Sequence, residues 1–484
     1  MRQTLARLPP AVRATLSYAA GIAWNKAAGM LILPMLTVLL PPAQFGRLEL
    51  LSTIAELGGL LVGAGLIDTL YRFASGPDGH GPAADVLGLA VTLGALGIAA
   101  SVMFAQPLAA LMPLPTSPHE IMLLGTAVSL EGMIGVPLAW LRIRGRATAF
   151  TVLTSARATA QAALAAALMA VLGAETYGLT GFLLALVVVG VAATVGLGIM
   201  QIRDTGIRFD PRRWGRLIVY VLPLVGAGAA SFVLFTMDRW LLAGAVPTVE
   251  LGQYGLAMRF ALLTQLLVQP FDMWWSARRM AMLNGPDGRA RVARAIESGS
   301  VVALVAGGLA AAVGPALIEL VAPPEYQPAA AMMPFLAAVL SLQALAILAS
   351  TGCYAARTGT LPMVVNGATT AVALAGYLVL IPRTGIAGAI AANLVAEAVR
   401  LTLFETLSQR RVRLTYRASR LLPLALGCVA AATVAQNVDG LAGAVLGTTV
   451  MGGVVVLAAL LGLIPVPVRR LPDWAASVGR IATS

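Results

Sequence analysis

Residues 179–216 read LTGFLLALVVVGVAATVGLGIMQIRDTGIRFDPRRWGR. The first part, 179–202, contains no charged side chain, and five arginines follow it within 203–216. About 20 apolar residues in a helix are enough to cross the hydrocarbon core of a membrane. Short connections rich in arginine stay in the cytoplasm because cationic residues resist translocation. This stretch therefore predicts a membrane span that ends on the cytoplasmic side.

Apolar stretches alternate with short polar connections along the whole chain. Hydrophobic residues make up 59% of the 484 and charged residues only 11%, whereas soluble chains carry roughly a quarter charged residues. We predict an all-α polytopic membrane protein with fourteen transmembrane helices and no large soluble domain. The predicted spans are 17–40, 48–71, 84–112, 120–141, 148–172, 179–202, 216–245, 253–277, 295–321, 330–354, 361–381, 386–408, 421–436 and 441–464.

The distribution of cationic residues supports this topology. Of the 33 Lys and Arg residues, five fall within spans and 26 fall in the termini and the even-numbered connections, with Arg216 at the edge of span seven counted in the connection. Only Arg47 and Arg383 fall in odd-numbered connections. An error in the number of spans would scramble this separation from that point onward. Both termini are therefore predicted to be cytoplasmic, and the apolar run after Arg2, Arg7 and Arg13 is interpreted as the first span rather than a cleaved signal.

An internal repeat divides the predicted spans into two sets of six. Three short patterns recur in order at offsets of 207 to 213 residues. They pair Gln44-Phe45-Gly46 with Gln253-Tyr254-Gly255, 144–147 with 357–360, and 177–181 with 384–388. Because six is an even number, the copies have the same orientation, as in transporters built from parallel repeats. We predict an N-lobe at 1–202, a C-lobe at 203–408, and two extra helices with a cytoplasmic tail at 409–484.

Residues Met237–Met280 read MDRWLLAGAVPTVELGQYGLAMRFALLTQLLVQPFDMWWSARRM. This segment resembles the seventh and eighth helices of polysaccharide exporters and lipid-linked oligosaccharide flippases. These proteins belong to the multidrug/oligosaccharidyl-lipid/polysaccharide (MOP) superfamily. The pair Asp238-Arg239 and the aromatic stretch Pro270–Trp275 stand where the family has an Asp-Arg pair and a Trp/Pro region. In this chain Tyr254 precedes Gly255, whereas the family more often has glycine before the aromatic residue.

The resemblance implies both an architecture and a function. It implies two six-helix lobes around a central cavity that opens to one side at a time, with the two extra helices beside the second lobe. It also implies a flippase or exporter in the bacterial cytoplasmic (inner) membrane. Such a protein moves a lipid-diphosphate-linked oligosaccharide or polysaccharide precursor to the outer leaflet, alongside other polysaccharide-assembly proteins and membrane lipids.

Cationic residues inside spans are the candidate substrate-binding groups. A charge at membrane depth costs roughly 2.5–3.5 kcal/mol on insertion scales unless it faces protein or water. We expect Lys26, Arg157, Arg239 and Arg259 to line a cationic cavity, because guanidinium and ammonium groups suit a diphosphate. The alternative is that these cations neutralise buried carboxylates. Glu397 and Arg400 are spaced i, i+3 and are predicted to pair locally.

Carboxylates inside spans are candidates for a coupling site. Glu56, Glu131, Asp238 and Asp272 are predicted either to bind a proton or sodium ion or to pair with cations of other helices. The sequence offers no metal-ligand cluster, phosphate-binding loop or nucleophile constellation, so neither a metal nor another cofactor is expected. The basic residues lie beside spans, where anionic lipid headgroups meet them, so no nucleic acid is expected as a partner.

The sequence is also compatible with other functions. A cation-coupled multidrug exporter has the same architecture, but Lys26 and Arg157 would repel cationic drugs. A membrane enzyme needs a general base or nucleophile in a site that water reaches, and both histidines lie outside the predicted spans. A non-transporting scaffold subunit is the third alternative. The favoured hypothesis is that the protein is a transporter and not an enzyme.

Overall fold

The computed structural model describes residues 33–463, apart from 60–62, 64, 75–78, 356–359, 417 and 439. Every regular element in these residues is helical. The contacts within the chain divide it into two compact units, Met1–Val249 and Glu250–Ser484. We call them unit 1 and unit 2 and describe each by itself.

Unit 1 contains eight described helices. They are α1 (Pro42–Gly59), α2 (Gly65–Ala74), α3 (His80–Met103), α4 (Ala105–Ala110), α5 (Pro118–Ile143), α6 (Ala147–Leu172), α7 (Ala174–Thr205) and α8 (Pro211–Ala243). The last of these packs on α1, α2 and α3, so the contacts place α8 in unit 1. The predicted lobe boundary at 202/203 stays a prediction.

Unit 2 begins within α9 and contains the remaining helices. They are α9 (Thr248–Ala261), α10 (Leu263–Leu283), α11 (Gly288–Val321), α12 (Pro328–Ala349), α13 (Thr351–Tyr354), α14 (Thr360–Thr384), α15 (Ile386–Arg411), α16 (Leu421–Gln436) and α17 (Gly440–Leu460). Short 3-10 turns at Pro324–Tyr326 and Ala418–Arg420 precede α12 and α16.

The prediction of a helical, multi-pass membrane protein is confirmed. Among the described residues, nine helices are long and apolar enough to span a membrane, and α16 is a shorter apolar helix. The nine are α3, α5, α6, α7, α11, α12, α14, α15 and α17. Predicted spans three, eight and ten each appear as two helices, α3 with α4, α9 with α10 and α12 with α13. Predicted span two contains α1 and α2, and residues 60–62 and 64 between them lie outside the described part. The first span lies outside the described residues except at its end, so the count of fourteen and the cytoplasmic termini stay predictions.

Helix starts follow local capping chemistry. Ser117 and Glu120 form a capping box at the start of α5, in which each side chain accepts a hydrogen bond from the other residue's backbone N–H. Pro118 follows at the first turn, where its missing N–H costs nothing. The Asp210 side chain caps α8 by accepting from the backbone N–H of Arg212. Such caps satisfy N–H groups that the helix itself leaves unpaired.

Arginine-rich connections come together at one end of unit 1. Arg146, before α6, lies 3.6 Å from the Asp204 carboxylate near the end of α7. Arg213, in α8, lies 3.7 Å from Asp85 near the start of α3. At the opposite end, Arg47 forms an ion pair with Glu120. The even-numbered and odd-numbered connections therefore separate within this unit, as the up-and-down topology requires.

The same separation holds in unit 2. The Arg279 guanidinium, after predicted span eight, lies 4.2 Å from the ring centre of Tyr354, at the end of span ten. The Ser408 hydroxyl, at the end of span twelve, accepts a hydrogen bond of 2.7 Å from the Gly352 backbone N–H. At the other end, the Gln253 side-chain amide donates to the Glu325 carbonyl.

Helix packing follows the same order in both units. In unit 1, α3 packs on α5, α5 on α7, and α6 on α7; in unit 2, α11 packs on α12, α12 on α15, and α14 on α15. Two of the repeated glycines lie at close contacts between neighbouring helices. A Cβ on Gly181 would lie 3.1 Å from the backbone of Leu168, and one on Gly388 would lie 2.5 Å from the Leu380 carbonyl oxygen. The repeated pattern therefore preserves a close helix contact in each copy.

The two extra helices belong to unit 2. Both α16 and α17 pack on α11, and they pack on each other. Val301, Leu424, Met451 and Val454 are buried in the core that these helices form. Cys353 and Cys428 are both free thiols.

Unit 1 exposes apolar side chains in the manner of a lipid-solvated protein. Along α7, Val188, Val191, Val195 and Ile199 are 46–54% exposed. Their spacing of three and four residues places them on one face of the helix. Such a face is stable against lipid tails and costly against water.

Candidate functional site

In unit 1, charged and polar side chains connect α1 with α8. Glu49 is 3% exposed, and its carboxylate lies 3.6 Å from Nε of Arg239. Two turns further along α1, the Glu56 carboxylate accepts a hydrogen bond of 2.8 Å from the Thr236 hydroxyl. Glu49 and Glu56 are seven residues apart, so they lie on the same face of α1. We call these residues, together with Asp238, the α1–α8 polar contact.

Asp238 adds a second buried carboxylate to the α1–α8 polar contact. It is 1% exposed, and its carboxylate accepts a hydrogen bond of 2.8 Å from the Arg239 backbone N–H. A buried charge of this kind needs both an ion pair and hydrogen bonds to be tolerated.

A second charged pair joins α5 and α6. The Arg157 guanidinium donates two hydrogen bonds to the Glu131 carboxylate, of 3.0 and 2.7 Å. This parallel two-point geometry is the strongest form of such a pair, and guanidinium recognises phosphate in the same way. The Arg157 side chain is 22% exposed and the Glu131 side chain 48%. The carboxylate is therefore the partner with more access to the surroundings.

Arg157 also lines a cavity between α5, α6 and α7. The cavity has a volume of about 400 Å³, and its walls include Leu138, Leu153, Val189 and Leu197. Apart from Arg157 and Thr154, the lining is apolar or glycine. A guanidinium on a mostly apolar wall suits a ligand that combines an anionic group with a hydrophobic part.

The remaining predicted site residues lie in unit 2. Arg259 is half-buried in α9. Asp272 is half-buried in α10 and accepts a hydrogen bond of 3.4 Å from the Ser276 hydroxyl one turn later. Glu397 and Arg400 form the local pair expected from their spacing, with N–O distances of 3.3 and 3.4 Å.

The structure thus brings some of the predicted residues together. Asp238, Arg239 and Glu56 share the α1–α8 polar contact, and Glu131 pairs with Arg157. Lys26 lies outside the described residues. Whether these cations line a common substrate cavity stays a prediction. In the described part of the chain, no group of three or more His, Cys, Asp and Glu residues is arranged to hold a metal ion.

Sequence reasoning missed Glu49, the acidic partner of Arg239. Glu49 is the second residue of predicted span two. A charged residue so close to the end of a span is easily assigned to the preceding connection. The signal that would have found it is its spacing from Glu56, which places both carboxylates on one helix face. Thr236 carried no comparable signal, because hydroxyls inside membrane helices most often bond to their own backbone, as Thr69 and Thr53 do here.

One titratable group outside the spans has a shifted pKa. Tyr416 follows α15 and donates a hydrogen bond to the Glu405 carboxylate. Burial raises the pKa of Tyr416 well above its usual value, and the hydrogen bond and negative charge of Glu405 raise it further. A hydrogen bond with Gln409 acts in the opposite direction. This phenol stays protonated at neutral pH.

The helical units, the exposed apolar faces and the charged pairs inside spans define a polytopic membrane protein. Residues 35–274, about half of the chain, match the family model of the polysaccharide biosynthesis proteins. The resemblance to flippases of the MOP superfamily is confirmed. No protein of curated function matches the sequence at a significant level.

Solved structures show the same fold at low sequence identity. The inward closed conformation of the lipid II flippase MurJ is 9% identical, with a TM-score of 0.73, and covers 92% of this chain and 98% of its own. An inward-facing multidrug resistance MATE transporter of the MOP superfamily is 15% identical, with a TM-score of 0.63 over 81% of this chain and 98% of its own. Its outward-facing conformation gives a TM-score of 0.54 at 15% identity, over 84% and 97%. The chain therefore has the MOP transporter fold.

Proposed function

We propose that the protein is a flippase of a bacterial cytoplasmic (inner) membrane. It moves a lipid-diphosphate-linked oligosaccharide or polysaccharide precursor from the cytoplasmic to the outer leaflet. Transport proceeds by alternating access, and both termini lie in the cytoplasm. Two findings support the proposal: the match to the polysaccharide biosynthesis family, and a fold similar to that of a flippase whose substrate is a lipid, lipid II.

The pair of Arg157 and Glu131 carries the chemical part of the proposal. The carboxylate occupies the guanidinium fork that a phosphate of the substrate headgroup would occupy. Because Glu131 is the more exposed partner, it swings away without leaving a buried charge unpaired. Internal pairing keeps Arg157 neutralised at membrane depth when no substrate is bound. The headgroup exchanges with Glu131 on Arg157, and Lys26, Arg239 and Arg259 contribute further positive charge.

The carboxylates supply a route for energy coupling. When the substrate displaces Glu131, its carboxylate becomes free to take up a proton or sodium ion. Glu56, Asp238 and Asp272 are the other coupling candidates. Asp238 and Glu56 belong to the α1–α8 polar contact, and a carboxylate there could take up a proton or sodium ion when its present partner moves away. Binding of either ion would then drive the empty transporter back to the state that opens to the cytoplasm.

The experiment compares four variants in cells that depend on this protein for glycan export. Arg157→Gln removes the guanidinium, and Glu131→Gln keeps it without its internal partner. The double change Arg157→Glu with Glu131→Arg keeps an ion pair but moves the cation to α5, and Lys26→Gln tests the predicted residue of span one. Lipid-linked intermediates in the two leaflets are measured with a probe that does not cross the membrane.

The expected results separate binding from stabilisation. We expect Arg157→Gln and the swapped pair to accumulate intermediates in the inner leaflet, and Glu131→Gln to retain delivery. If the swapped pair instead restores delivery to the level of the unmodified protein, the contact serves only stability and Arg157 does not bind the headgroup. Membrane levels and thermal stability of each variant are measured in parallel.

A cation-coupled multidrug exporter is the second candidate, favoured by the likeness to MATE structures. Such a protein would use carboxylates of the α1–α8 polar contact to bind cationic drugs. Drug susceptibility of a deletion strain discriminates between the two functions. Broad hypersensitivity to cationic drugs with normal glycan export would establish the exporter and exclude the flippase. The relatives are transporters, so an enzymatic activity is not proposed.

A further inference from the structure

A cavity at one end of unit 2 is separate from every charged pair described above. It has a volume of about 560 Å³ and lies between α10, α11 and the segment after α17. Phe271, Trp274 and Met282 form its apolar side, and Arg291 and Arg294 form its cationic side. We call it the α10–α11 cavity.

The aromatic side of the cavity is held in a fixed arrangement. Trp275 is fully buried behind it, with its ring centre 6.5 Å from that of Phe271. The ring of Phe271 packs so closely on Gly299 of α11 that a Cβ there would clash with it. Trp274 remains 37% exposed, so its indole is available to a ligand. Arg278 reaches toward the same indole, with 5.9 Å between the guanidinium carbon and the ring centre.

The floor of the cavity is anchored to α11. The Leu463 side chain is 2% exposed. The Leu463 carbonyl accepts a hydrogen bond of 3.1 Å from the Ser298 hydroxyl. Gly462 makes the turn that brings this segment back, with a φ of 68°, a value that favours glycine. Three segments of the chain in fixed contact with one another therefore form the walls of the cavity.

The cationic side carries an unbalanced charge. Arg291 and Arg294 are one turn apart on α11, and both are exposed. Like charges at this spacing destabilise a helix, and an anion placed between them removes that cost. Across the described residues, neither arginine forms an ion pair with a carboxylate. Glu297 is the one acidic residue on the cavity wall, so the lining keeps a net positive charge.

The position of the cavity identifies the ligand chemistry. The connection between α10 and α11 is predicted to be cytoplasmic, and tryptophan beside arginine is typical of the level of lipid headgroups. The cytoplasmic leaflet carries the anionic lipids. We propose that the α10–α11 cavity binds the phosphate of an anionic phospholipid between Arg291 and Arg294, with the lipid's glycerol and upper chain against Phe271 and Trp274.

The test uses the full chain in detergent micelles and phospholipids whose acyl chains carry bromine near the headgroup, which quench tryptophan on contact. Brominated phosphatidylglycerol is compared with brominated phosphatidylcholine. We expect phosphatidylglycerol to quench at lower mole fraction, and Trp274→Phe to abolish most of that difference. Arg291→Gln with Arg294→Gln is expected to weaken the apparent affinity for phosphatidylglycerol about tenfold.

A matched control changes two other arginines on the same predicted side, Arg289→Gln with Arg410→Gln, and is expected to keep the wild-type preference. Inorganic phosphate at millimolar concentration is added in a further arm. Equal loss of preference in both double variants would show a general surface-charge effect and overturn the proposal. Complete displacement of the lipid by inorganic phosphate would also overturn it, because the site would then belong to a free anion. Thermal unfolding of each variant confirms that the fold is intact.

Discussion

Arg157 and Glu131 lie on neighbouring helices of unit 1 and share two hydrogen bonds, yet the carboxylate is about twice as exposed as the guanidinium. Separation of a pair buried on both sides would leave a charge unpaired in the interior, which is costly. The asymmetry here leaves one partner able to rotate into the surroundings. The stability of the α5–α6 contact therefore depends on whether the Arg157 guanidinium binds Glu131 or another anion.

The first prediction concerns the strength of this pair. Arg157→Gln and Glu131→Gln are each expected to lower the free energy of unfolding by about 1 kcal/mol, because the pair is partly exposed and screened. The double variant is expected to lose less than the sum, since either single change already breaks the contact. Thermal unfolding in detergent measures the cycle. Strict additivity would mean that the pair contributes nothing to stability.

The second prediction concerns the repeated glycine in unit 2. Gly388→Ala places a Cβ 2.5 Å from the Leu380 carbonyl oxygen, and the backbone must shift to relieve the clash. We expect a loss of about 1–3 kcal/mol in stability. Gly367→Ala in α14 is the matched control, because nothing lies within 4 Å of its added Cβ. This control should raise stability by about 0.5–1 kcal/mol, since alanine is the better helix former. Equal melting temperatures for the two variants would contradict the assignment of Gly388 as a contact residue.

Much of this fold could be predicted because membrane spans depend on local composition. Apolar length alone placed α16 at 421–436 and brought predicted span four close to α5, Pro118–Ile143. Helix ends were harder to predict. Predicted span eight appears as α9 and α10, but Leu262 between them keeps a right-handed helical conformation, and its backbone N–H donates to the Met258 carbonyl. The α10 helix also continues through Pro270, so residue type alone does not mark where these helices end.

The candidate site was predictable only in part, because pairing is a tertiary property. The charge of Arg157 at membrane depth predicted a partner or a ligand. That its partner is Glu131 follows from the packing of α5 beside α6, which the sequence does not encode locally. Glu397 and Arg400 were predictable because one helical turn separates them. For Arg239, the acidic partner Glu49 lies far away in sequence.

The third prediction concerns Glu120, which serves two contacts. Its carboxylate accepts from the Ser117 backbone N–H, and it also pairs with Arg47 of α1. Glu120→Ala removes both and leaves Arg47 without this carboxylate. Ser117→Ala removes only the cap, at a cost of about 1 kcal/mol. We expect Glu120→Ala to cost about 2–3 kcal/mol more than that control, measured by thermal unfolding. If Glu120→Ala lowers the free energy of unfolding by the same amount as Ser117→Ala, the ion pair with Arg47 does not contribute to stability.

The last prediction concerns the pH dependence that Tyr416 introduces. Burial, and then Glu405, raise the pKa of Tyr416 in the folded protein above the usual value near 10. The folded state therefore holds this proton more tightly than the unfolded state. Its contribution to stability is complete below about pH 10 and is lost progressively as the pH rises above that value.

Tyr416→Phe has no proton to lose at this position, so its stability should fall less steeply between pH 9 and pH 11, the range around that usual value. Chemical unfolding of both proteins across this range measures the difference in slope. Tyr377→Phe is the matched control within the membrane-spanning part, where the phenol donates to the Asn393 side-chain oxygen rather than to a carboxylate. Parallel pH profiles for the wild-type protein and Tyr416→Phe would mean that the phenol has the same pKa in the folded and unfolded states, which would contradict the prediction.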